Sequence, residues 1–371
     1  MSEQTTSLIL PTRRQFLTGG LGLAAAGVLG ACGETSGSAA GGGGNKTASY
    51  VNKGMDFFFF VVQSEAVKRA SKEIGYTFQT TDAKQDASAQ YNNWNSALLQ
   101  RPGMIISDPV DSEGLAPMTK KAGQQKIPVG IIDTPLTKGE TDFTVSFDNR
   151  KGGELAGQKV ADLLKKKYGS VKGTVLNAYG ALSSVAWRQR KEGFEAVLKK
   201  YPGVKILARP TDGAETKARD VAAATLSEYP DLDAAHAPSG SITRGIVTSM
   251  KNAGKAKPVG DDDHIILVSI DGEPQSLQWT RDKILDAEVS QDPVAYGQIC
   301  VEMLNKYAVA GKEVPLQDYS NKDYFWEKAP IVKGATGPTM VIPPYYIDAD
   351  NVEDPRQWGN VVIKDWGMKQ S

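Results

Sequence analysis

"TASYVNKGMDFFFFVVQSEAVKRASKEIGY", residues 47–76, carries the reading on which the fold turns. Its first six residues, Thr47–Asn52, make a short β-rich run. Further on, Val62, Ala66, Ala70 and Ile74 recur every four residues, the spacing of one helix face, and Gly75 closes that helix. Between them stand four consecutive phenylalanines, Phe57 to Phe60. Such a run suits a buried strand, an aggregation-prone segment, a membrane contact or a ligand surface. The strand has already ended and the helix needs a start, so the run is read as a loop and first helical turn, with Asp56 as the N-cap. Stepping back by three from Val62 puts Phe59 on the buried stripe, with Phe58 and Phe60 off it. One face cannot bury four rings, so some must face a cleft.

The same strand–helix unit repeats along the chain. "TFQTTDA", "GMIISDP", "IPVGIID" and "DFTVSF" read as strands, with helices "ASAQYNNWNSALLQ" and "GLAPMTKKAGQQ" between the first three. After "VSFDNRKGG", residues 145–153, a second run begins. Its strands are "GTVLNAYG", "VKILARP", "LDAAHAP" and "HIILVSIDG", interleaved with four helical stretches. Alternation of this kind means parallel sheets covered on both faces. The expected fold class is therefore α/β, with two doubly wound, Rossmann-like lobes. In such sheets ligands bind outside the carboxyl ends of the strands. The residues there are Lys53 to Phe60, Asp108 to Asp111, Asp133–Thr134, Ala178 to Ser184, Pro210 to Gly213, Pro238 to Gly240 and Asp271–Gly272. They are rich in carboxylates, hydroxyls and aromatics and contain no phosphate loop. "GGLGLAAAG" mimics a nucleotide fingerprint but follows no strand.

Composition narrows the function. With 371 residues the chain has material for two domains. Its 43 Lys+Arg balance 43 Asp+Glu, so nothing in the charge invites nucleic acid. Two cysteines, Cys32 and Cys300, and two histidines, His236 and His264, leave little for a zinc site, a disulfide framework or triad catalysis. No metal or cofactor is expected. The acidic stretches "GDDDH" and "DADNVED" are read as solvated loops, the second lacking the spacing of a calcium loop. Cys300, in an apolar helix, is read as a small core residue.

The N-terminus reads as an address. In "TRRQFLTGGLGLAAAGVLGACG", residues 12–33, Arg13 and Arg14 precede a short, weakly apolar segment. That is a twin-arginine export signal, with roughly half of the ~20 apolar residues a spanning helix needs. "LGAC" resembles a lipobox, making Cys32 the expected lipidation site. Residues 1–31 are thus expected to be a signal peptide and the Gly/Ser-rich residues 32–46 a flexible tether.

"FFFFVVQSEAVKRASKEIGY", "IISDPVDSEGLAPMTKKA", "IPVGIIDTP", "WRQRKEGFEAVL", "VSIDGEPQSL" and "AEVSQDPVAYGQICVEML" follow one another in the order seen in ribose-type periplasmic sugar-binding proteins, the type I solute receptors of ABC importers. The chain resembles that family from about Thr47 to Gly359. The resemblance implies a three-segment hinge and a ligand site made of Phe59, Phe60, Asp133, Arg188, Ser239, Asp271 and Gln291. Arg190, two positions beyond Arg188, is assigned a surface or ion-pair role, because residues two apart on a helix point different ways. Asp111 and Ser112 are assigned to capping; Trp94 and Trp187 could reach the cleft, with core packing the preferred reading for each. Three departures speak against ribose itself: Thr134 stands where ribose receptors carry an arginine, Ser239–Gly240 replaces an Asn–Asp pair, and Gly213 stands where an aromatic often completes the clamp. Phe57 and Phe58 replace an Asn-Pro, which removes a polar contact.

These residue types suit a sugar. Aromatic rings cover its C–H faces, while carboxylates and arginine bond its hydroxyl rim. The expected lobes are residues 47–147 plus 292–340 and 148–291 plus 341–371. Crossings are expected near Val145–Asp148, Gln291–Pro293 and Val341–Tyr346. The expected protein is a monomeric, lipid-anchored, non-enzymatic receptor on the outer face of a membrane, passing a sugar or polyol to an ABC permease. A sensor presenting the ligand to a chemoreceptor or kinase, and an exported enzyme, are the alternatives.

Overall fold

The computed structural model describes residues 45–370. The expected signal peptide, the lipidation site Cys32 and most of the tether lie outside the described residues. Asn45 and Lys46, expected at the tether's end, are tied to the body: Asn45 Nδ2 donates to the Gln100 carbonyl at 3.1 Å, and the Lys46 carbonyl accepts from Thr77 N at 2.8 Å.

The elements in chain order are β1 (Thr47–Asn52), α1 (Phe58–Glu73), β2 (Thr77–Asp82), α2 (Ala87–Leu99), β3 (Met104–Ser107), α3 (Ala116–Gln124), β4 (Val129–Asp133) and β5 (Phe143–Phe147). A second run follows: α4 (Asn149–Tyr168), β6 (Gly173–Tyr179), α5 (Val185–Leu198), β7 (Val204–Pro210), α6 (Glu215–Glu228), β8 (Ala234–Ala237), α7 (Gly240–Asn252), β9 (Ile266–Asp271), α8 (Pro274–Arg281) and β10 (Ala287–Ser290). The chain then returns through α9 (Pro293–Lys306), β11 (Asp318–Ser320), β12 (Lys328–Lys333) and β13 (Pro338–Ile342). It ends with β14 (Tyr345–Ile347) and α10 (Trp358–Lys364).

Two sheets make two α/β lobes. The first has the order β11-β12-β13-β5-β4-β3-β1-β2 and the second β14-β10-β9-β8-β6-β7. Strands β1 to β5 pair in parallel with one another, as do β6 to β10, which alternating strands and helices require. At one edge of each sheet the pairing turns antiparallel, at β11–β12–β13 and at β14–β10, so the sheets are mixed. The sequence pattern did not foreshadow these edge strands.

The chain passes between the sheets three times: at Asp148 between β5 and α4, at Gln291–Asp292 between β10 and α9, and at 343–344 between β13 and β14. Val341 and Ile342 still pair with Ser146 and Phe147, so the third pass follows Ile342 rather than residue 340.

Helix α1 begins one residue later than Asp56 would allow. Phe57 is the N-cap, extended at φ −107°, ψ 131°, with no capping side chain, and Asp56 is exposed. The Phe57 carbonyl accepts from Phe60 N and Val61 N, which sets the register of the first turn. Asp111 does not cap α3 either. Its Oδ1 accepts from Glu113 N and Gly114 N, closing the turn before the helix. Trp94 is fully buried and donates to Ser107 Oγ at 3.1 Å, a core role. Cys300 is likewise fully buried.

Candidate functional site

The two sheets present the carboxyl ends of their strands to one cavity. Lys53, Phe57, Phe59, Phe60 and Asp133 line it from the first lobe. Ala186, Trp187, Arg190, Ser239, Ser241, Asp271, Glu273 and the crossing residue Gln291 line it from the second. Six of the seven expected site residues are brought together here. Arg188 is the exception. Its Nη1 donates to the Leu182 carbonyl at 2.9 Å, outside the cavity. Arg190 takes its place, 3% exposed. The two do point different ways, but the helix is rotated so that the second arginine faces inward.

Arg190 organises the second lobe's wall. Its Nε donates to Asn149 Oδ1 at 2.7 Å, Nη1 to the Pro238 carbonyl at 2.7 Å, and Nη2 to Gln291 Oε1 at 2.8 Å. Nη1 also lies 3.4 Å from Asp271 Oδ1. Gln291 Nε2 donates to that same Asp271 oxygen, and Gly240 N to the other, at 2.8 Å. Gln291 Oε1 accepts a further bond from Tyr296 OH at 3.1 Å, which locks its amide. Burial pushes the Asp271 carboxyl up to about 7, against the pull of Arg190. Ser239 caps α7, and its Oγ lies 2.9 Å from Ser241 Oγ. Glu273, buried and paired with Arg244, completes this wall.

The first lobe contributes a second buried charge cluster. Lys53 Nζ donates to Thr134 Oγ1 at 2.7 Å and lies 3.1 Å from Asp108 Oδ1 and 3.7 Å from Asp133 Oδ2. Burial raises Asp108 to about 8 despite Lys53. Lys53 falls within the strand-end stretches but was not singled out. It stands directly after β1, where a long side chain has only the cleft to enter.

Two strand-end aspartates are held in left-handed backbone, Asp133 at φ 61° and Asp271 at φ 131°. For residues with a Cβ this is sparsely populated and costs on the order of 1–3 kcal/mol, a strain that clusters at binding sites.

The aromatic walls come from both lobes. Phe59 and Phe60 are 4% and 5% exposed and meet edge to face at 5.8 Å. Phe59 also meets Trp358 of α10 at 5.9 Å, so it ties the lobes together as much as it lines the cavity. Phe60 lies under Lys53 Nζ at 5.3 Å. On the opposite side Trp187 packs over Gly180 and Gly213. A Cβ at those positions would stand 2.0 and 3.1 Å from the indole. Trp187 takes both of the roles weighed for it: half-buried on α5, it packs against the second lobe's core and also lines the cavity.

This architecture has relatives. Residues 48–313 match the periplasmic binding protein domain family. The chain belongs to that family. It is 27% identical over 248 residues to the ribose import binding protein of Salmonella typhimurium, covering 67% of this chain and 80% of that one. It is 30% identical over 230 residues to the D-ribose/D-allose-binding protein of Pseudomonas aeruginosa, 57% of this chain and 69% of that one. Among solved structures, a galactofuranose binding protein superposes with TM-score 0.72 at 21% identity, covering 87% of this chain and 99% of that one. A solute binding protein from Bacillus halodurans, with bound myo-inositol, superposes with TM-score 0.71 at 20% identity, covering 85% and 99%. These relatives are binding and import proteins, not enzymes.

Proposed function

We propose that this periplasmic binding protein captures a neutral sugar or polyol between its two lobes and delivers it to an ABC permease, outside the cytoplasm. The observation that carries the reading is the pairing of two polar walls, Lys53–Asp133 and Arg190–Asp271–Gln291, with rings on both sides. Asp133 and Asp271 accept from ligand hydroxyls, Arg190 and Lys53 donate, and Gln291 does both. Phe60 and Trp187 cover the C–H faces. Lys53, Arg190 and Arg244 meet five carboxyls, of which Asp108, Asp271 and Glu273 are pushed toward neutrality by burial. The wall thus carries little net charge and suits an uncharged ligand.

Ribose itself is disfavoured. Thr134, standing where ribose receptors carry an arginine, is engaged by Lys53, so the cation enters from the end of β1 instead of β4. A site whose donors have moved selects a different arrangement of hydroxyls. The lobes we assign are 47–147 plus 292–342 and 148–291 plus 343–370, hinged at the three passes and closing on the ligand.

A thermal-shift panel of pentoses, hexoses, polyols and inositols on the full chain tests this. At one hundred times Kd, a true ligand adds about 2.7 kcal/mol of stability. A response to amino acids or peptides and to no carbohydrate would sink the sugar reading, and turnover of any ligand would overturn the non-enzymatic one. For attachment, we propose that Cys32 is acylated after twin-arginine export. Incorporation of labelled fatty acid is expected to vanish in Cys32→Ser, and persistence of the label rules that anchor out.

A further inference from the structure

We propose that Ser112 of the first lobe is a closure latch that caps helix α5 of the second lobe. The inference rests on the reading that the lobes close around a ligand. Val185 is the first residue of α5, so its N–H has no partner within the helix. The natural cap, Ser184, makes no capping bond, and among the described residues its buried hydroxyl has no hydrogen-bond partner. Instead Val185 N donates across the cleft to Ser112 Oγ at 3.1 Å, a buried bond between residues of opposite lobes. Ser112 is 2% exposed.

The first lobe holds this hydroxyl in position. The Ser112 carbonyl accepts from Thr137 N at 2.8 Å and from Thr137 Oγ1 at 3.3 Å. The Asp111 side chain closes the turn around it through Glu113 N and Gly114 N. The backbone of Ser112 is thus pinned on its own side, leaving its hydroxyl to reach over. The helix it caps carries Ala186, Trp187 and Arg190 into the cavity. When the lobes part, water takes the place of Ser112 at Val185 N–H. When they meet without the hydroxyl, that N–H is buried unpaired, and closure is penalised. Ser112 is a positioning residue: it acts on the ligand only through the placement of α5.

The test compares the full chain with Ser112→Ala and Ser112→Thr. Amide exchange is followed at Val185, small-angle scattering reports lobe closure, and sugar dissociation is timed. In Ser112→Ala, Val185 is expected to exchange about tenfold faster, and any sugar found by the panel to leave about tenfold faster. The melting temperature of the unligated protein is expected to stay unchanged, and Ser112→Thr to restore both rates. Unchanged exchange at Val185 in Ser112→Ala overturns the latch, as does an equal loss of unligated stability, which would make Ser112 a loop residue only. If no carbohydrate binds the wild type, the sugar reading fails on its own. The exchange comparison, which reads the ligand-bound, closed protein, is then made with whichever amino acid or peptide shifts the melting temperature, and it still decides the latch.

Discussion

Arg190 and Arg188 show how one residue's rotation decides a site. Ala186, Arg190, Phe194 and Leu198 recur every four residues along α5, and all four are buried. The apolar members of that stripe were visible in the sequence, and extending it back from Leu198 through Phe194 puts Arg190 on the inner face. Matching motif letters placed the contact on Arg188, which lies about 200° away around the helix. Arg190→Ala is expected to weaken sugar binding on the order of 100-fold or more, because Asp271 and Gln291 lose their buried partner. Arg188→Ala is expected to change affinity less than twofold. Isothermal calorimetry on both variants checks this, and equal effects would refute the assignment of Arg190. At Phe57 to Phe60 periodicity separated a core-like Phe59 from an off-stripe Phe60. The fold lets both line the cavity, because Phe59 sits where the core and the cleft meet.

At the scale of elements, the helices and inner parallel strands were legible because each carries its own period and its own stop signal. The antiparallel edges were not. β11 and β14 are three residues each and half-exposed, too short for alternation to register. Their pairing comes from the neighbouring strand and the route of the chain. The close contact of α4 with α5 was equally hidden. A Cβ at Gly153 would stand 2.2 Å from the Arg190 carbonyl, and one at Gly193 2.2 Å from the Arg150 carbonyl. Glycine at both points lets the two helices approach until Arg190 Nε reaches Asn149. The two glycines therefore belong to the positioning of the site, although neither touches the cavity.

Across the whole molecule, buried carboxyls set a pH dependence. Glu288 on β10 is fully buried, close to the hydroxyls of Ser276 and Ser269. Burial, with lesser contributions from Asp271 and Glu273, raises it from 4.5 to about 8. Burial also raises Asp108 to about 8, Asp271 to about 7 and Asp292 to about 6. A carboxyl whose pKa is higher in the folded chain stabilises it fully below the unfolded value. That contribution is lost as pH rises through the folded value. The unligated protein is therefore expected to melt at a higher temperature at pH 5 than at pH 8.5. Glu288→Gln, which keeps the shape and removes the proton, is expected to flatten this slope and to raise the melting temperature at pH 8.5. Melting curves for the two proteins that run parallel between those pH values would contradict the assignment.

Six of the seven residues that the family resemblance implied line the cavity; sequence alone determined the alternation of strand and helix, the two successive runs and the strand ends where a ligand belongs. These are local or periodic properties, carried by residues close together in the chain. The tertiary structure decided which arginine faces inward, that Lys53 occupies the space a residue at 134 leaves free, that Trp187 fills the room over two glycines, and that Ser112 meets Val185. Each of these depends on how far apart two elements lie and how one is rotated against the other. Packing between segments tens of residues apart sets those quantities, and no single segment encodes them.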